Sequence, residues 1–153
     1  MLTFLLVWNS QRWHWQNIED QSQAVQSGKL VIIPWSCGNS KNIHKGDRVF
    51  FTKLGQAPKG IFASGYVIQA SFKNQHWDAE QAAAGETAMF ITVQLDTLLN
   101  PATSSILPRQ LLETDSFQPM HWDSQRSGIQ IPANVAATLE TEWENFSRSL
   151  IES

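Results

Sequence analysis

Trp35-Ser36-Cys37-Gly38-Asn39, then Gly46-Asp47-Arg48-Val49-Phe50-Phe51, then Gly60-Ile61-Phe62-Ala63-Ser64-Gly65: this succession decides how the chain is read. Gly46-Asp47 is a turn signal, and the apolar run behind it predicts a strand over 48–54, buried on most of its faces. Gly60 opens a long glycine-bearing strand, 60–72, of the kind that bends around a small barrel. Ahead of both, the β-branched run 29–34 ends at proline and reads as a strand entering the Trp35 loop. That loop joins a bulky ring to small polar groups and an amide, a set able to converge on a flat ligand.

Outward from this centre the pattern is strands first, helices at the connections and the end. Leu2 to Trp8 is an apolar strand. It is too short for a membrane span and lacks the basic start and small-residue cleavage site of a signal peptide. Ile18, Ala24 and Val25 at helical spacing, closed by Gly28, predict a surface helix over 17–27. Further expectations are a short helix or turn over 80–85, a strand over 87–98 broken by Asn100-Pro101, a helical step over 108–113 and a strand over 129–131. A proline-opened amphipathic helix over 132–150 carries Val135, Leu139, Trp143 and Phe146 on one face. Five or six short strands with helices between them describe an α+β chain built on a small, curved, mixed sheet.

The chain has 153 residues, enough for one filled core and too few for two ordinary domains, so a single domain over 1–153 is expected. A net charge of −3 gives no general basic field, so any nucleic-acid contact has to use a local patch. One cysteine, Cys37, excludes an internal disulfide and fits a reducing, cytoplasmic compartment. The apolar residues are accounted for by one core and show no heptad, which predicts a monomer. Seven tryptophans are a heavy load, and because each indole N–H wants a partner some of them should line a pocket.

These motifs, with Lys45 and Lys59 ahead of their glycines, His76-Trp77-Asp78 and Ser127-Gly128-Ile129-Gln130-Ile131-Pro132, resemble the EVE domain of the PUA-like superfamily. The resemblance is strongest to the version in front of HNH-type nuclease domains in modification-dependent restriction enzymes, and it covers nearly the whole chain. It implies a PUA-like curved sheet or pseudo-barrel with a pocket for one modified base. The implied ligand is 5-methylcytosine or 5-hydroxymethylcytosine in DNA. It also implies that a nuclease domain follows in a full-length protein, and it sets Asn9 where such domains carry a polar pocket residue.

On that footing Trp35 is the first choice of stacking platform, with Trp77 or Trp122 opposite it. Ser36, Asn39 and the backbone around Cys37 would read the base edge, since cytosine needs an acceptor for its amine and donors for O2 and N3. Lys41, Lys45 and Arg126, with Arg48 nearby, are the candidate phosphate contacts. A loop tryptophan facing a pocket should be removable without loss of the fold. The competing roles are plain ones: Trp35 as a core residue at a strand end, and His76-Trp77 and His121-Trp122 as loops pinned to the body.

An enzyme is not expected. The sequence has no nucleophile elbow, phosphate-binding glycine loop or HExxH pair, and its four histidines have no metal-ligand spacing. No cofactor is therefore expected, and the ligand sets of an HNH nuclease are missing. The leading expectation is a reader of modified DNA serving a restriction system. The alternatives are a reader of modified or structured RNA and a module that binds a non-nucleic-acid ligand or a protein.

Overall fold

Alternating and continuous apolar runs pair as their burial demands in the computed structural model, which describes residues 1–152. The strands are β1 (Thr3–Asn9), β2 (Ile32–Ser36), β3 (Arg48–Leu54), β4 (Gly60–Gln75), β5 (Thr87–Leu98), β6 (Leu107–Pro108) and β7 (Ile129–Gln130). They form one mixed sheet in the order β2-β5-β4-β3-β1-β7, with β6 beside β4. β1 runs parallel to β3, Thr3 opposite Arg48 and Asn9 opposite Leu54, and the other pairings are antiparallel. The sheet thus has seven strands where five or six were expected, and it is curved and open, not a closed barrel. Its curvature has a local cause: the register slips between Phe51 and Thr52, and again along β4 and β5, and each irregularity adds twist.

β3 is buried along its whole length because both faces of the sheet are covered. On one face Phe50 meets Trp143 of α3 (Ala133–Glu152) edge to face at 6.3 Å. On the other, Phe51 meets Trp35 at 5.1 Å and Trp15 at 6.5 Å. Arg48, expected near the pocket mouth, lies instead under α3. Its guanidinium is held by Asp96 at 2.7 Å and Glu140 at 2.6 Å and sits over the rings of Phe50 and Tyr66. Burial opposes its charge, but the two carboxylates outweigh burial and raise its pKa. Asp96 also accepts from Ser64, whose Oγ accepts the Trp143 indole N–H, so one polar network ties α3 to the sheet.

α1 (Ile18–Gln26) has Glu19 and Asp20 in its first turn, where the helix dipole favours negative charge, and stops before Gly28. The Ser22 hydroxyl donates to the Leu98 carbonyl and fastens it to β5. The 16-residue β4 and the facing start of β5 run on as a two-stranded arm, with Phe72 stacked on Phe90. The arm is closed by α2 (Ala79–Ala83). No helix among the described residues is long and apolar enough to cross a membrane.

Candidate functional site

The end of β1, the end of β2 and the arm enclose a cleft of about 360 Å³, within the usual range for a small-molecule pocket. Trp35 and Ser36 line it from within β2, not from a loop: Trp35 pairs with Ile91 and Ser36 with Phe90. Pro34 does not end this strand because β2 is an edge strand, where a missing N–H costs no ladder bond. Trp35 is only 8% exposed. Its ring lies 4.9 Å from Trp15 and 5.4 Å from Trp13, and its N–H donates to the Val7 carbonyl at 3.2 Å. The expectation of a loop tryptophan whose removal leaves the fold undisturbed is therefore corrected, since the ring is part of the core and only its margin reaches the cleft.

The wider aromatic face belongs to Trp13, which is 36% exposed and meets Trp35 edge to face. Trp77, at the root of α2, supplies a further indole. The guanidinium of Arg12 lies 4.7 Å from the Trp77 ring centre and is held by Asp78 at 3.1 Å. Asp78 also accepts from the backbone N–H groups of Glu80 and Gln81 and so caps α2. The hydrogen bond from Arg12, joined by those backbone donors, holds the Asp78 carboxyl below its ordinary range. One ion pair thus fixes the arm to the β1–α1 connection across the cleft.

The polar side is made by two crossing segments. Gly38 and Gly128 both have left-handed φ, and a Cβ on Gly128 would stand 2.1 Å from the Cys37 carbonyl oxygen. A Cβ on Gly38 would stand 2.5 Å from that of Ser127. Only glycine lets the two backbones come this close. Asn39, Asn9, Gln125, Arg126 and Ser127 converge there on the cleft. The Asn9 amide donates to Gln125 at 3.1 Å, and Ser127 Oγ accepts the Val7 N–H.

Asn9, Trp35, Ser36, Asn39, Trp77 and Arg126 are thus brought together as expected. Four expected residues are not. Cys37 is fully buried, does not line the cleft, and its thiol is pushed up by burial. Trp122 is in the core with its N–H donated to Phe117, so it faces no ligand and cannot stand opposite Trp35. Lys41 and Lys45 are exposed on the 37–47 connection but do not line the cleft. Sequence reasoning missed Arg12, Trp13 and Gln125. The Trp13-His14-Trp15 alternation, one ring out and one in, is the signal that could have found Trp13, whereas Arg12 is placed by Asp78 and Trp77, distant in sequence.

Among the described residues Arg12, already paired with Asp78, and Arg126 line this cleft and no carboxylate does, so Arg126 makes it suit a flat ligand with an anionic attachment better than a cation, although its indoles alone would suit either. A second, larger depression of about 570 Å³ near the ends of α1 and α3 is lined by aliphatic and small polar residues and the carboxylate of Asp96, with no ring among the described residues. It offers nothing to stack on. Among the described residues no three histidine, cysteine, aspartate or glutamate side chains are grouped to hold a metal ion.

No protein-family model matches the sequence, and no curated protein matches it significantly. Solved structures do resemble the fold. A hypothetical protein from Leishmania major superposes with a TM-score of 0.66 at 14% identity, covering 96% of this chain and 97% of its own. A protein from Pseudomonas syringae gives 0.63 at 11% identity over 92% and 98%, and one from Pseudomonas putida gives 0.59 at 12% over 91% and 97%. At these identities the likeness shows the architecture alone: the chain shares a whole-length α+β fold with these proteins.

Proposed function

We propose that this chain is an EVE-type, PUA-like reader of modified DNA, which takes a 5-methylcytosine or 5-hydroxymethylcytosine rotated out of the duplex into the Trp13–Trp35–Trp77 cleft. The observation that carries the reading is the pairing of indole walls with arginines in a cleft lined by no carboxylate. Extruding a base costs a few kcal/mol of unstacking. Stacking on an aromatic wall returns about 1–3 kcal/mol per base, so Trp13 and Trp77 offset most of that cost. Discrimination then falls to the polar side of the cleft, where Ser36, Asn39 and the Asn9–Gln125 pair meet the ring edge.

Arg126 is the arginine free for a phosphate, because Arg12 is committed to Asp78 and Trp77. With few basic contacts the affinity should fall only gently with salt, with a slope of about −1 to −3 in log K against log salt. In this role the chain recognises and does not cut, acting as the specificity module of a modification-dependent restriction system in which a nuclease domain cleaves. Fluorescence anisotropy at fixed moderate salt tests it, using one duplex sequence plain, with a single 5-methylcytosine, and with a single 5-hydroxymethylcytosine, and an RNA of the same sequence. Tighter binding to a modified duplex supports the reading. Equal affinity for plain and modified duplexes sinks it, and preference for the RNA moves the function to the alternative reader class.

A further inference from the structure

Asn9 and Gln125 both line the cleft, and the one hydrogen bond between them, with a second from Gln11 to Asn9, fixes which end of each amide points where. The backbone N–H of Gln11 donates to Asn9 Oδ1 at 3.0 Å. A backbone N–H has no acceptor character, so the end of the Asn9 amide facing it must be oxygen. The NH₂ end of Asn9 then faces Gln125, and it donates to Gln125 Oε1 at 3.1 Å. An NH₂ group can be met only by an acceptor, so Gln125 in turn presents its oxygen to Asn9 and keeps its own Nε2 for something else. Among the described residues no partner is recorded for that Nε2.

Gln125 is exposed, so in the free protein its Nε2 is open to water, and among the described residues no carboxylate lines the cleft to hold it. From this we infer that Gln125 is a specificity-determining residue whose Nε2 donates to an acceptor on the edge of the bound base, and that Asn9 is a positioning residue which sets the polarity of Gln125. The inference rests on the base-reading role proposed above and adds the chemistry of the contact. A cytosine edge presents N3 and O2, two adjacent acceptors, beside its amine. A single amide donor there rewards that edge and gives nothing to one that shows a donor at the same place.

The polarity chain can be reversed at its origin. In Asn9→Asp one carboxylate oxygen still accepts from Gln11, but the other now faces Gln125 as an acceptor. Gln125 turns over, donates Nε2 to the carboxylate, and shows Oε1 to the cleft. One readout without ligand and one with it follow. Solvent exchange of the Gln125 side-chain amide protons, followed by NMR without DNA, should slow by about fivefold or more in Asn9→Asp. In anisotropy titrations with a duplex carrying one 5-methylcytosine, Gln125→Ala should weaken the wild type about three- to tenfold. In the Asn9→Asp background the same change should cost nothing or restore some affinity, so the double-mutant cycle is strongly non-additive. That added charge weakens all DNA binding, which is why the sign of the Gln125→Ala effect is compared within each background.

Unchanged amide exchange overturns the polarity chain. Equal loss from Gln125→Ala in both backgrounds overturns the role of Asn9 as the residue that orients Gln125, while the base reading stands. If the wild type does not prefer the modified duplex at all, the base reading falls and this ligand role falls with it. That failure is recognisable because the exchange experiment contains no DNA.

Discussion

Trp35→Ala separates a ring that builds the cleft from one that merely borders it. Trp35 is 8% exposed, touches the rings of Trp13, Trp15 and Phe51 at 5.4, 4.9 and 5.1 Å, and donates to Val7. Truncating a buried tryptophan costs about 3–5 kcal/mol. The lost hydrogen bond, worth about 1 kcal/mol, is contained in that figure because the Val7 carbonyl can be rehydrated through the cleft. A domain of this size is stable by about 5–15 kcal/mol, so the variant should lose from about a fifth of its stability to nearly all of it. With a urea m value of about 2 kcal/mol/M, the midpoint should fall by about 1.5–2.5 M at unchanged m. Circular dichroism is the assay of choice, since the change removes one of the clustered fluorophores. Trp13→Ala, at a ring 36% exposed, should shift the midpoint by less than about half as much yet weaken DNA binding by about 1–3 kcal/mol. A Trp35→Ala midpoint within about 0.5 M of wild type would refute the claim that this ring is core.

Three further outcomes are expected. The Asp78 carboxyl is held below 3.8 chiefly by Arg12, so what the pair contributes is fully present above that value and is lost as pH falls through the lower folded value. The Trp77 indole resonance should therefore show a step below that pH, and that step should be absent from Asp78→Asn; a low-pH step that survives the substitution contradicts the assignment. Arg48→Ala should cost about 2–3 kcal/mol in urea unfolding, less than the 3–5 of a wholly buried pair because Asp96 and Glu140 are each 43% exposed and can rehydrate. Arg48→Met should cost less, since a long apolar side chain can still pack against the Phe50 and Tyr66 rings that the guanidinium covers, and an equal loss in both would be evidence against the packing contribution. Gly128→Ala should destabilise by clearly more than Gly85→Ala. Both have strained φ, worth about 1–2 kcal/mol, but only Gly128 has a carbonyl in the way; equal losses would show that the crossing is loose.

Much of the sheet was legible because its signals are local. The bounds of β3 and β5 follow directly from apolar runs set between turn residues, and the helical stripe of α3 needed nothing beyond its own sequence. β2 was displaced because Pro34 reads as a terminator unless the strand is known to be an edge, which is a property of the sheet and not of the strand. β6 has two residues, too few for any periodicity. The site was legible where it lies on β2 and obscure where it depends on distant partners. Arg48 looks like any surface arginine until Asp96 and Glu140, 48 and 92 residues away, are brought to it. His76-Trp77 and His121-Trp122 are indistinguishable as dipeptides, yet one ring lies beside Arg12 at the cleft and the other is sealed in the core.

The crossing of residues 37–39 over 127–128 has a thermodynamic consequence. The cleft draws on residues 7–9, 12–13, 34–36, 38–39, Trp77 with Phe90, and 125–127, so no short piece of the chain contains it and the unfolded state has no version of it. Whatever occupies it binds the folded form alone. A ligand at a hundred times its dissociation constant then raises stability by about 2.7 kcal/mol whatever its chemistry. Melting temperature becomes a detector that needs no assumption about function: a panel of nucleosides, nucleotides and short modified oligonucleotides can be ranked by the heat the protein withstands in their presence.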